Sequence, residues 1–502
     1  MAISQSDQLF QLVKSLTKSE KRNFTLYSTR IQDADDLMYI QLFDIIDKEK
    51  VLSDDIIMSK LKLKDKVKYS NLKRHLYKQI MTSLRMLFIQ KDTDTQIREY
   101  LDYAMILYGK GFYKQAIKIL EKAKQMAGKS NNDILLLSIL ETEKDIESKH
   151  ITRSGVDIVP ALIRQSKDLV DSIQRTAQLS NMRILLHSYY IQYGHVRNAD
   201  DLSKFENEFA WIAQYELEVD KMSYLEKVYY FQALVWYHYT RMDFDLCLKA
   251  AIAWVENLAV SPDLIDQNCD LYMRGFHYIL TCTYYNGDLQ TFDYYLDLLE
   301  KYRTDHYTSF NTNSQIISFL YVHSGRLNRC LITKKYADGL KAIPSTLRRI
   351  QKYKGKLDAH RILVFYFKIA WIHLMAGDHA NALKYLNLIF VMEVSGLRED
   401  IQGYAQLMFL MAHHDAGNED IMEYLIHGAE KYFAKAVDKT KLQIMTIAFF
   451  KKLYKAPLPA RKVIKTDFLK ALDTLNEDIF ERRSIIYLDI KIWLETRVSG
   501  LR

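Results

Sequence analysis

Proline is nearly missing from this chain. There are 5 in 502 residues, with none before Pro160, and glycine adds only 16. Helix breakers are therefore scarce. Long apolar runs are missing too: Ala370–Ala376 is interrupted by His373 and Tyr404–Ala412 by Gln406. Neither approaches the roughly 18 residues needed to span a bilayer, so no membrane segment is expected. The opening MAISQSDQLF has no basic stretch followed by an apolar core, which argues against a secretory signal. Only four cysteines occur (Cys247, Cys269, Cys282, Cys330), without CxxC or other metal-ligand spacing. They read as buried thiols of a reducing compartment, and the chain as cytoplasmic. No run alternates with period two between turn residues, so strands are not expected.

What is present is helical periodicity in a soluble balance of 49% apolar and 26% charged residues. A length of 502 residues exceeds one ordinary core but suits a quasi-linear array. Asp7–Leu16, Ser19–Thr29 and Asp36–Lys48 carry the period of a helix, with Thr17 and Ser53 as N-caps. Asp54 and Asp55 follow Ser53 in the first turn, where the helix dipole favours acids. Tyr69–Ile89 places Tyr69, Leu72, Leu76, Ile80, Leu84 and Leu87 on one face.

The stretch Tyr100–Gly128 reads YLDYAMILYGKGFYKQAIKILEKAKQMAG. Ala104, Ala116 and Ala123 sit where two antiparallel helices must touch, and Gly111 and Tyr113 mark the turn. Tyr366–Ile389 reads YFKIAWIHLMAGDHANALKYLNLI, with Ala370, Gly377, Ala382 and Leu386 at the offsets of Ala104, Gly111, Ala116 and Leu120. Both stretches resemble tetratricopeptide (TPR) helical hairpins. That resemblance implies an all-α, TPR-like αα-hairpin solenoid. Weaker hairpins follow: Phe231–Trp254 turning at 242–244, Phe276–Leu299 at 286–288, and Gln406–Ala429 at 416–418. Turn spacings of 45 (Met242 to Gly287) and 40 (Gly377 to Gly417) exceed the TPR period of about 34, so the array is degenerate. Residues 130–225 hold three or four further helices, with a break at Ser154-Gly155. Residues 315–353 form an irregular pair broken by Pro344, and APLPARKVIK after Lys455 marks a last boundary.

The domain reading is thus 1–95, a basic N-terminal helical domain with a helix-turn-helix-like element; 96–455, the solenoid; and 456–502, with two capping helices over 465–499. Within the first region, SLTKSEKRNFTLYS and YIQLFDIIDKEK resemble the opening of uncharacterised bacterial helical-repeat proteins, a resemblance that brings no function with it.

Net charge is +8, yet residues 60–91 hold ten Lys and Arg against Asp65, a local sum of +9, which leaves −1 for the remainder. At about 100° per residue, Arg74, Lys78 and Arg85 lie within roughly 40° of one another, opposite the leucine stripe. With Lys73, this face suits phosphates, an acidic protein, or plain solvent.

In TPR-like folds the first helix of each hairpin faces a concave groove. The offsets place Arg98 and Tyr108 there from the first hairpin, then Tyr229, Gln232, Trp236 and Tyr239, then Arg274, His277, Tyr284 and Tyr285, and finally Trp371, Tyr404 and His414. Such a groove suits a peptide, because aromatics combine area with a polar handle; the competing fate is packing between helices. Some family members grip a C-terminal carboxylate with Lys and Asn. The matching positions here are Leu101, Gln232, His277, Phe367 and Leu407, so that clamp is not expected.

Catalytic patterns are missing: no HExxH, GxSxG or Walker A sequence occurs. His413 and His414 point about 100° apart on a helix and do not converge on a metal. Cys330 and His323, seven residues apart, read as a buried thiol and its neighbour rather than a dyad. Asp243 and Asp245 look like caps. The expectation is a non-enzymatic protein- or peptide-binding scaffold without cofactor or metal; the alternative is a nucleic-acid-binding regulator working through helix 69–89.

Overall fold

The computed structural model describes residues 5–29, 36–49, 53–89, 92–149, 158–260, 262–392, 399–436, 439–475 and 477–499. All are in helices or their connections, with no strand among them. The chain forms two compact units, Met1–Ile173 and Gln174–Arg502.

The first unit opens with α1 (Gln5–Ser15), α2 (Lys18–Ser28), α3 (Asp36–Lys48), α4 (Asp54–Lys60) and α5 (Lys66–Ile89). Thr17 and Glu20 form a capping box at α2: Thr17 Oγ1 accepts from Glu20 N–H at 3.2 Å and Glu20 Oε2 accepts from Thr17 N–H at 2.7 Å. Two orphan donors of the first turn are thereby satisfied. Ser53 caps α4 with a single bond, its Oγ accepting from Ile56 N–H at 3.4 Å. α5 packs on α1, α2 and α3, burying Leu76 and Ile80 with Phe24, Tyr39 and Leu42. A separate core follows in α6 (Thr93–Gly109), α7 (Tyr113–Lys129) and α8 (Asp133–Lys149), where Ala104, Ala116 and Ala123 are fully buried at the α6–α7 contact. Gly111 turns this hairpin at φ +79°, a left-handed conformation that glycine adopts without a Cβ clash.

α9 (Ile158–Tyr193) contains the boundary between the units, with Pro160 in its first turn, where no amide hydrogen is needed. The expected break at Ser154-Gly155 lies outside the described residues. The second unit continues through α10 (Ala199–Glu208) and a 3-10 segment, Ala210–Lys221. Helix pairs then follow: α11 (Tyr224–Thr240) with α12 (Phe244–Leu258); short α13 (Pro262–Gln267); α14 (Cys269–Asn286) with α15 (Leu289–His306); α16 (Thr312–Ile332) with α17 (Tyr336–Lys352); α18 (Ala359–Met375) with α19 (His379–Phe390); α20 (Glu399–Asp415) with α21 (Glu419–Lys435); and α22 (Lys441–Lys455) with α23 (Leu458–Leu475). Partners within each pair touch. So do first helices of successive pairs, α14 with α16, α16 with α18, α18 with α20 and α20 with α22. This is the contact pattern of an all-α solenoid, in which one continuous core is shared by neighbours.

The turns are built locally. Gly287, Gly377 and Gly417 take φ of +70°, +82° and +73°, while Met242 at the α11–α12 turn takes +61° with a Cβ. That conformation costs about 1–2 kcal/mol; burial of the Met242 side chain offsets it.

Two expectations are corrected. Pro344 lies inside α17 and does not break it. Its ring forfeits one backbone bond, but Ile343, Thr346 and Ile350 are buried on that helix and hold it. Within 456–502 the helices begin at Leu458 rather than 465, with Pro459 in the first turn of α23, and there are three rather than two: α23, α24 (Arg482–Tyr487) and α25 (Ile490–Ser499). Arg497 Nη2 and Nε donate to Asp415 Oδ2 at 2.7 and 3.0 Å, and Trp493 Nε1 donates to the same oxygen at 2.9 Å, fastening α25 onto α20.

Candidate functional site

The second unit holds a cavity of about 460 Å³, within the range of ~300–1,000 Å³ usual for ligand sites. Its wall comes mainly from α9, α11, α14, α16 and α18, with Ile401 of α20 and the Ile485–Asp489 segment closing it. Each helix contributes a stripe at steps of three and four. On α14 the stripe is Arg274, His277, Tyr278, Thr281, Tyr284 and Tyr285; on α18 it includes Arg361, Val364, Lys368 and Trp371.

Eight of the thirteen residues placed in a groove from sequence line this cavity: Gln232, Trp236, Tyr239, Arg274, His277, Tyr284, Tyr285 and Trp371. Five do not. Arg98 and Tyr108 belong to α6 in the first unit, where Arg98 is exposed and Tyr108 rests on Tyr113 at 5.6 Å. Tyr229 sits behind the wall with the Arg183 guanidinium 5.4 Å over its ring. Tyr404 is buried and stacks on Tyr487 at 5.2 Å, while His414 pairs with the Tyr454 hydroxyl at 2.6 Å and lies edge-on to Trp493. The C-terminal segment covers α20 at these two positions, which are core rather than groove.

The wall is aromatic and cationic. Trp236 meets Tyr239 and Tyr278 edge-on at 5.8 and 5.5 Å, and the Tyr239 and Tyr285 hydroxyls lie 3.4 Å apart. His277 stacks flat on Tyr321 at 4.5 Å. Among the described residues, Arg183, Arg274, Arg361 and Lys368 line the space, against the carboxylate of Asp489. Burial, then the charges of Lys368, Arg274 and Arg361, push His277 down to about 3. Burial, then Arg183 and Arg274, lower His187 as well. Both imidazoles are thus neutral near pH 7. Burial raises the proton affinity of Asp489. Lys368 donates to Ser324 Oγ at 2.6 Å, and Arg361 pairs with Asp358 at 3.2 Å.

Sequence reasoning missed Arg183, His187, Tyr278, Tyr321, Arg361, Lys368, Tyr487 and Asp489. The signal at hand was the i, i+3, i+7, i+10 stripe Arg361–Val364–Lys368–Trp371, which puts two cations on the groove face of a helix already identified.

In the first unit, α5 exposes Arg74, Tyr77, Lys78, Met81, Arg85 and Phe88 along one stripe. Arg74 bonds Asn71 at 3.1 Å and Arg85 pairs with Asp102 at 3.3 Å between two exposed side chains. Lys73 is turned inward, 3.0 Å from Asp54 Oδ2 and 4.4 Å over the Tyr69 ring.

The remaining sequence candidates are structural. His323 Nδ1 faces Thr346 Oγ1 at 2.9 Å, His413 faces Asn418, and Asp243 caps α12 through Leu246 N–H at 3.1 Å. Cys247 and Cys282 are buried, whereas Cys269 and Cys330 are half-buried; all four are free thiols. Among the described residues, no three His, Cys, Asp or Glu side chains gather into a metal site, and no helix is long and apolar enough to cross a membrane. No protein-family profile, curated protein or solved structure matches the chain.

Proposed function

We propose that this chain is a non-catalytic, TPR-like scaffold of bacterial type that binds a protein or peptide partner in the cavity of its second unit. One observation carries the reading: groove positions extrapolated from a hairpin pattern converge, eight of them, on a single lined cavity. An aromatic wall with polar tips suits a peptide, because Tyr and Trp give contact area at low entropic cost. The free thiols fit a cytoplasmic setting.

The test is a photo-crosslinking residue at Asn328 on the cavity wall, compared with one at Leu298 on α15. Covalent capture of a protein from Asn328 alone, lost on adding Arg274→Gln, supports the reading. Equal capture from both positions contradicts it.

A second reading rests on the α5 stripe, where exposed Arg74, Lys78 and Arg85 alternate with Tyr77 and Phe88. Cations interleaved with aromatics suit a nucleic-acid backbone and its bases. Binding that falls steeply with salt and disappears in Arg74→Glu/Lys78→Glu/Arg85→Glu supports it; a flat salt response argues against it.

A further inference from the structure

The cavity is chemically one-sided, and the side it lacks describes its ligand. Arg183 Nε and Trp254 Nε1 are buried on lining residues with no acceptor in hydrogen-bonding reach among the described residues, and so is the Gln232 amide nitrogen. The first two are donors in every protonation state that matters. Buried donors without acceptors are costly. Gathered like charges are costly as well, and here the nearby Arg274 disfavours the charge of Arg183, which burial already penalises. The charge cost is relieved by a group that is negative and rich in acceptors. The apolar part of the wall, Leu320, Leu331, Val364 and Ile485, calls for an aliphatic or aromatic companion beside that group.

We propose that the cavity takes an acidic segment of the partner peptide: two or more carboxylates or phosphates set next to an apolar or aromatic side chain. The proposal rests on the peptide-binding reading above. A recessed wall of one charge sign focuses the field and draws such a segment in. The lining cations then make charge-assisted bonds with it, the stronger kind in a partly dry site. A neutral peptide fills the same volume and offers carbonyl acceptors, but leaves the repulsion as it was.

The experiment titrates the full chain with three probes: a poly(Glu,Tyr) peptide, its Gln-for-Glu counterpart and its phosphotyrosine form. Inorganic tripolyphosphate is the fourth arm. The variants are Arg183→Gln and Arg274→Gln, with Lys301→Gln on α15 as the matched charge control. The expected result is that the Glu peptide binds at least about tenfold tighter than the Gln peptide, and that each cavity variant weakens it roughly 10- to 100-fold. Lys301→Gln leaves it unchanged. The phosphorylated arm tells whether phosphate or carboxylate is preferred. Without ligand, Arg183→Gln should melt at or above the wild-type temperature, since one crowded cation is gone. Equal affinity for the Glu and Gln peptides overturns the proposal while leaving the peptide reading intact. Binding of tripolyphosphate with no peptide bound at all overturns both, and points to a small anion. A large drop in melting temperature for Arg183→Gln makes its charge structural and also overturns the proposal.

Discussion

The first unit carries its clustered cations on the outside of α5, and the second gathers its cations around a cavity. In the first, Arg74, Lys78 and Arg85 are exposed along one helix, and the Arg85–Asp102 ion pair joins two exposed side chains; pairs of that kind contribute little to stability. In the second, Arg183, Arg274, Arg361 and Lys368 come from three helices and meet among aromatics. A charge held at the surface costs almost nothing. A charge held in a recess disfavours the free protein, and such placements are where ligands bind. The two units also differ in how they are reported. All five tryptophans (Trp211, Trp236, Trp254, Trp371, Trp493) belong to the second, so their fluorescence follows that unit alone.

The sharpest break in the comparison is Arg497→Ala. It leaves Asp415, whose side chain is 5% exposed, without its guanidinium, and removing one partner of a buried pair costs about 3–5 kcal/mol. Urea unfolding followed by tryptophan fluorescence should shift by that amount. Next come Ala382→Leu and Ala116→Leu, equivalent positions in the two units and both fully buried. Overpacking costs about 1–3 kcal/mol at each. Ala382→Leu should move the tryptophan transition and Ala116→Leu should move only the circular-dichroism signal; if both move the tryptophan signal, the units unfold as one.

Acid is a gentler probe. Burial holds His277 and His323 down at about 3 and His238 and His414 at about 4. In the unfolded chain these histidines take a proton below about pH 6.5. The unfolded state therefore binds more protons, and stability falls as pH drops from about 6.5 towards 4, by up to ~1.4 kcal/mol per pH unit for each histidine. The described residues of the first unit hold one histidine, His75, at the surface. The tryptophan-reported transition should thus be the acid-sensitive one, and a melting temperature unchanged between about pH 7 and 5 would contradict the burial of these rings. The smallest effect belongs to Arg74→Gln/Lys78→Gln/Arg85→Gln. Thermal melts should stay within about 0.5 kcal/mol of the wild type; a larger loss would make the α5 face structural.

The hairpins were legible because their signals are local. Gly111, Gly377 and Gly417 stand at left-handed turns, and Ala104, Ala116 and Ala382 stand where helices touch. The Thr17–Glu20 box is readable for the same reason. Pro344 misled because a proline's local preference is weak against three buried neighbours on its helix. Tyr404 and His414 misled because the residues that cover them, Tyr487 and Trp493, lie some eighty positions downstream. The cavity cations could not be read as a group. Arg183 and Lys368 are far apart in sequence, and only the stacking of first helices unites them. The run at 60–91 drew notice because it is contiguous, which is a property of the chain and not of the surface it makes.

The most direct test of the cavity as the binding site uses its own fluorophores. Trp236, Trp254 and Trp371 line it. Titration with poly(Glu,Tyr), exciting at the red edge where tyrosine is silent, should change the emission saturably, and Trp236→Phe/Trp371→Phe should remove most of the change while binding by calorimetry persists. Binding detected by calorimetry with no change in wild-type tryptophan emission would place the ligand elsewhere and contradict the account.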